Sequence, residues 1–380
     1  MQIESERGVM SKVMRENKIN RRDFLKIATI SGGALLIPKN VHSYFDFAAQ
    51  LDTFPQSEFI GRNCLSGIMN FRVKPEADAE INKSVYEDFL FPIYREVVGE
   101  APAGTYNATW FETPYGYVYS PGVQLVKNEP NVPETDLPDS SIGKGFWGVV
   151  TVPYVNLIFG KDPVSPWYIS IKDHNPKLYY DQIFWIDEIK TASDGTILYR
   201  ANELYGTYGD IVYADARAIR KITDEEVAPI HPEVENKRIY VNLTYQTLTC
   251  YENDVEVYFC RISSGAMYTN EGVLTDRYAT PTGNHHPWRK SISLHMSGSL
   301  TGSGWDTPGV PWNVIFATGG ASIHGVFWHN AFGTPRSHGC VNAKPDDAKW
   351  IWRWVKPEVG LDPGDITVSG DVGTLIEVKN

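Results

Sequence analysis

Cys340 stands in the run Ser337-His338-Gly339-Cys340-Val341-Asn342, sixteen positions beyond His324 in Ser322-Ile323-His324-Gly325. A thiol attacks as thiolate, so near neutral pH it needs a neighbouring base or positive charge. Glycines beside the nucleophile let the backbone approach a carbonyl and aim N–H groups at a developing oxyanion. These residue types point to a cysteine nucleophile acting on a carbonyl carbon. Three histidines compete to serve it. His324 is separated from Cys340 by enough chain for a loop to fold back and bring the side chains together. His338 precedes the thiol by two residues; on a strand it would lie on the same side, better placed to bias the field than to take the proton, an auxiliary role. His329 reads as a satisfied surface histidine. Imidazole and thiolate also suit zinc, and His285, His286 and His295 add to the count. No compact H-x-x-x-H or C-x-x-C pair is present, so neither a metal nor another cofactor is expected.

These residues need strands and a brace to position them. Ile239 to Leu243, Thr247 to Tyr251 and Val255 to Ile262 read as a β-meander turning at Asn253-Asp254. With a two-residue turn there, Cys250 would face Val257, so that Cys250 and Cys260 point to opposite sheet faces and form no disulfide. Thr280-Pro281-Thr282-Gly283 is a turn, with proline setting φ and glycine permitting the reversal. Pro345-Asp346-Asp347 opens a helix with proline in the first turn and acids at the positive dipole end. Ala348 to Val355 continues it and Pro357 stops it, which puts a brace behind Cys340.

The composite I-H-G and S-H-G-C-V-N pattern, the T-P-T-G turn and the I-x-V-N-L, Q-T-L-T, Y-E-N-D opening resemble the YkuD-type L,D-transpeptidase catalytic domain, over residues 237–378. The resemblance implies that Cys340 attacks the carbonyl between the third residue and the terminal D-Ala of a peptidoglycan tetrapeptide stem. D-Ala leaves, a thioester remains, and a side-chain amine of a neighbouring stem attacks it to form a 3→3 cross-link. His324 would be the general base and acid, and backbone N–H groups around His338, Gly339 and Cys340 the oxyanion donors. Ser337 and Asn342 would hold the loop. Arg336 either meets a substrate carboxylate or is a plain surface arginine, and Tyr278 is the one match offered for a family tyrosine near the acyl site. Carbapenem β-lactams are the implied inhibitors. Two alternatives stay open: an L,D-carboxypeptidase that passes its thioester to water, and a wall-binding protein with a dormant catalytic domain.

The remainder of the 380-residue chain sets the context. A net charge of −11 argues against a surface that tracks nucleic-acid phosphates, and four cysteines are too few for a disulfide scaffold. Arg21-Arg22-Asp23-Phe24-Leu25-Lys26 resembles a twin-arginine export motif, and the weakly apolar stretch from Ile27 to Pro38 is too short to span a bilayer. Residues 1–49 therefore read as a signal for the twin-arginine machinery, cut after Ser43 or Ala49, which implies an extracytoplasmic, cell-envelope location. Frequent glycine and proline favour short strands and turns. R-x-x-P from Arg72, W-F-E at Trp110 and G-Y-V-Y at Gly116 resemble a bacterial SH3-like barrel over 58–127, and a looser echo spans 148–222. Trp110, Tyr117, Trp167 and Trp185 read as core residues of these units. Residues from Asn128 to Asp139 form a linker, and those from Glu225 to Asn236 a hinge. The expected fold is mainly β: a C-terminal YkuD-like β-sandwich with a short helix, preceded by one or two SH3-like small barrels.

Overall fold

The computed structural model describes residues 53–102, 105–202, 209–269, 271–298 and 305–380; the signal expected over 1–49 lies outside them. The protein is mainly β, and its strands sort into three groups along the chain. In the first, residues 60–126, a five-stranded and a three-stranded sheet enclose Phe71, Phe91, Phe111 and Val118. Residues 146–221 form a six-stranded sheet and a two-stranded pair around Tyr168, Phe184 and Tyr199. Among the described residues no strand of one group pairs into another group's sheet.

The third group, residues 237–379, holds two five-stranded sheets. One runs Val255–Arg261, Thr247–Glu252, Lys237–Asn242, Leu375–Lys379, Gly283–His285; the other runs Val341–Ala343, Ser322–Gly325, Trp305–Ile315, Arg289–Gly298, Asp365–Thr367. Lys237–Asn242 alternates buried and half-buried positions, turning Ile239 and Val241 inward, as a strand with one core face must. The helix Pro345–Trp354 begins at its proline and carries Asp346 and Asp347 in its first turn. It buries Ala348, Ile351, Trp352 and Trp354 in the same core as Ile239, Val314, Ile323 and Val341. The expected brace is thus present, packed on the strand that carries His324.

The Asn253-Asp254 turn has φ of 47° and 66° and joins Glu252 directly to Val255. Those positive φ values mark the tight hairpin turn that suits twisted strands. A bulge between Cys250 and Tyr251 then shifts the register, so Cys250 opposes Tyr258 and Cys260 opposes Leu248. The sequence reading of opposite faces is therefore wrong: one inserted residue puts both cysteines on the inner face. Both are buried in the core as free thiols.

The expected hinge is also corrected. Residues Asp224–Val227 form one helical turn closed by a capping box between Thr223 and Glu226. Glu226 accepts hydrogen bonds from Arg220 at 2.6 Å and from Lys349 of the long helix at 2.8 Å. Paired in this way, its carboxyl is held at about 2 against the opposing cost of burial. The segment is bolted down. Core sharing goes further, because Trp147, Ile183 and Trp185 of the second group lie in the core cluster of the third. Trp110 and Trp185 are buried as expected, whereas Trp167 is only half-buried and faces a cleft.

Candidate active site

Ser322–Gly325 and Val341–Ala343 are adjacent parallel strands with Ile323 opposite Val341 and His324 opposite Asn342. Partners in a parallel ladder point the same way, and neighbours along a strand point opposite ways. Ile323, Val341 and Ala343 therefore enter the core. Ser322, His324 and Asn342 share the other face, and Cys340, just ahead of its strand, joins them beside Ser322. The Cys340 Sγ lies 3.7 Å from the Ser322 Oγ.

His324 is 2% exposed, and its Nδ1 lies 3.0 Å from the Gly325 carbonyl oxygen. A carbonyl only accepts, so Nδ1 carries the proton and Nε2 remains a base. Burial pushes the Cys340 thiol up, but the hydrogen bond and charge of His324 and the Ser322 N–H and hydroxyl outweigh it, and the net shift is downward. A depressed thiol beside an imidazole of fixed tautomer is an activated nucleophile.

His329 is not the surface histidine expected from sequence; it is 2% exposed. Its Nδ1 accepts from the Ala331 N–H at 3.1 Å and its Nε2 sits 2.9 Å from the Asn342 amide. Burial first, then Arg336 and His324, drive its pKa down to about 3, so this ring stays neutral. His338 is exposed, outside the strand, and set edge-on to Tyr278 with 4.7 Å between ring centres. Gly339 at φ +119° breaks the alternation that would have placed His338 alongside Cys340. Burial and Arg277 lower the His338 pKa, which leaves it poorly suited to supply a positive charge.

Residues 236–378 match the YkuD family model, the L,D-transpeptidase catalytic domain. No curated protein matches the chain. Among solved structures, an Enterococcus faecium L,D-transpeptidase mutant is 22% identical, with a TM-score of 0.28 over 38% of this chain and 51% of that one. The chain thus spans about half the length of that relative. A Mycobacterium smegmatis L,D-transpeptidase is 16% identical, with a TM-score of 0.30 over 50% and 93%. An L,D-transpeptidase solved in complex with imipenem is 17% identical, with a TM-score of 0.29 over 66% and 100%.

Within the matched segment the loop before Cys340 is closed by its own hydrogen bonds. Ser337 Oγ donates to the Cys340 carbonyl at 2.5 Å and accepts from the Gly339 N–H at 3.0 Å. The Gly339 N–H is thereby occupied, which corrects its expected part as an oxyanion donor. The Cys340 N–H has no acceptor among the described residues. Gly265 pairs with Ser337, and a Cβ there would lie 1.8 Å from the Tyr278 carbonyl oxygen, so only glycine permits this approach. Asn342 pairs its backbone with Ser263.

Arg336 is exposed, has no ion pair among the described residues, and lines the thiol's cavity with His338, Met296, Thr307 and Trp328. Tyr278 touches His338 but is not part of that cavity wall. Sequence reasoning gave Ser322 no role. The signal was available in principle, because pairing I-H-G in parallel with C-V-N sets Ser322 beside the thiol. Met296, Thr307 and Trp328 come from a long hairpin and a loop, and no local motif marks them.

Proposed function

We propose that the protein is a peptidoglycan L,D-transpeptidase that forms 3→3 cross-links through a Cys340 thioester, exported by the twin-arginine route to the cell envelope. The observation that carries this reading is the single polar face of Ser322, His324, Cys340 and Asn342 on two parallel strands of a YkuD-matched segment. His324 Nε2 takes the thiol proton while Gly325 holds the opposite ring nitrogen, and the thiolate attacks the stem carbonyl. The Cys340 N–H is the backbone donor left for the oxyanion. His324 returns its proton to the leaving D-Ala amine, and a second stem's amine then releases the sulfur. Arg336 is positioned to receive the carboxylate of the departing D-Ala.

The test is a defined tetrapeptide stem incubated with purified protein, with products read by mass. Cross-linked dimer is the expected product. Tripeptide alone would mean a carboxypeptidase, and unchanged substrate would overturn the proposal. Carbapenem should add once by intact mass, and Cys340→Ser should abolish the adduct. Iodoacetamide should stop turnover, while a strong chelator should leave it unchanged.

A further inference from the structure

The chain leaves the His324 strand at Gly325 and runs through Trp328 before it reaches the nucleophile loop. Trp328 is a wall of the thiol cavity, and its indole lies 5.9 Å from the His324 ring, centre to centre, at 30°. The imidazole thus has two restraints, the Gly325 carbonyl at Nδ1 and the indole beside its plane. What holds the indole comes largely from outside the third strand group.

Arg62 sits in Ile60–Asn63, the middle strand of the three-stranded sheet, where all four residues are buried. Its guanidinium makes three directed hydrogen bonds: to the Gln124 Oε1 at 2.9 Å, to Asp88 at 2.7 Å and to the Phe327 carbonyl at 2.9 Å. That carbonyl receives no other hydrogen bond among the described residues, and a buried carbonyl needs one. The other two partners are themselves fixed. Gln124, the cross-strand neighbour of Arg62, donates to the Tyr180 carbonyl at 3.0 Å, and Asp88 also accepts from Lys177 at 2.6 Å. The Tyr179 ring centre lies 4.2 Å from the guanidinium and 6.2 Å from the Phe327 ring, on which it stacks. Phe327 meets the Trp328 indole edge to face at 4.9 Å. Beyond the indole, the Asn330 N–H bonds the Pro121 carbonyl at 2.9 Å. The first strand group therefore grips the loop on both sides of Trp328.

Arg62 is 3% exposed. Desolvation offsets much of what a buried ion pair contributes to stability, and apolar side chains could fill the same space. A planar guanidinium adds direction, which an apolar side chain lacks. We propose that Arg62 is a positioning residue for the thiol chemistry: through the Phe327 carbonyl it fixes the Trp328 indole against the His324 imidazole. The proposal rests on His324 as the base for Cys340 and makes the first strand group a working part of the active site. With the guanidinium gone, the loop is free to shift, the imidazole loses its aromatic neighbour, and proton transfer from the sulfur slows.

The test is single-turnover acylation of Cys340 in the full chain by a tetrapeptide donor. Arg62→Met should lower the rate constant at saturating donor about tenfold to a hundredfold. The donor concentration for half-maximal rate should hold within about twofold, because the arginine acts through the base. Val118→Ala, in the core of the same strand group, is the stability control; it should lower the urea midpoint and leave the rate per folded molecule unchanged. If Arg62→Met does not fold, Asp88→Asn and Gln124→Ala loosen the guanidinium without removing it, and each should slow acylation by a smaller factor. Acylation at the wild-type rate in Arg62→Met, or in both looser variants, would overturn the proposal, as would an equal loss per folded molecule in Val118→Ala. Alkylation of Cys340 by iodoacetamide at pH 7, mapped by peptide mass, needs no stem peptide and should slow about threefold to tenfold in the Arg62 or looser variants. If the tetrapeptide does not acylate even the wild-type protein, the transpeptidase reading falls. Slowed alkylation would then still support the positioning role, and unchanged alkylation would end it.

Discussion

His329 and Asn342 determine each other's orientation. Nδ1 of His329 accepts from the Ala331 N–H, so its one proton is on Nε2, which must meet an acceptor. The Asn342 Oδ1 is otherwise buried without a partner, and turning the amide so that this oxygen faces Nε2 satisfies both groups. His329 is thus a positioning residue for the strand after the nucleophile. Asn342→Ala would strand a buried N–H and should cost about 1–3 kcal/mol of stability, read as a lower urea midpoint. His324→Ala should slow acylation by about 10²–10⁴, as expected for loss of a general base. His338→Ala should cost less, because burial and Arg277 disfavour its charged form and its ring is set against Tyr278. Single-turnover acylation, with the thiolate followed by its ultraviolet absorbance across pH, checks both variants. Acylation by His324→Ala at the wild-type rate would remove the assigned base. Cys340 and His324 were legible because their spacing and residue types carry chemistry in themselves. The burial of His329 was not, since it depends on a strand contact that no short window contains.

At the scale of elements, the end of the helix Pro345–Trp354 is held by a buried lysine. Lys290 Nζ donates to the carbonyls of Val355 at 2.6 Å and Pro357 at 2.7 Å. Burial lowers this ammonium to about 7, and a neutral amine still has the two N–H groups those carbonyls need. A lysine depressed in the folded state binds fewer protons than in the unfolded chain between about pH 7 and its ordinary value near 10. Folding stability should therefore rise with pH across that window, and Lys290→Met should flatten the rise; urea titrations at pH 7 and pH 9.5 measure it. The helix was readable from its proline, acids and stop. The bulge at Cys250 was not, because one extra residue in a ladder depends on partner strands and leaves no mark in composition. Short apolar runs between turns mark strands at Thr109 to Glu112 and Gly116 to Ser120, and alternation marks one at Ile183 to Ile189; the structure has strands at Thr109–Thr113, Gly116–Tyr119 and Ile183–Thr191.

At the scale of the whole molecule, the boundary drawn near residue 237 divides sequence patterns better than it divides packing. Trp147 and Trp185 meet edge to face, 5.3 Å between ring centres, inside the core of the third strand group. Trp147 Nε1 donates to the Leu361 carbonyl at 3.0 Å, and Ser293 Oγ donates to the Ile183 carbonyl at 2.6 Å. Residues 146–379 should therefore melt as one calorimetric transition, with van't Hoff and calorimetric enthalpies in agreement; two resolved transitions would show the groups to be independent. The shared tryptophans also bear on handling the protein. A fragment cut at residue 236 would bare the patch that Trp147, Ile183 and Trp185 cover, and exposed apolar patches drive association. Such a fragment would be sticky in solution, and its tendency to clump would report the missing neighbour rather than any property of the intact protein.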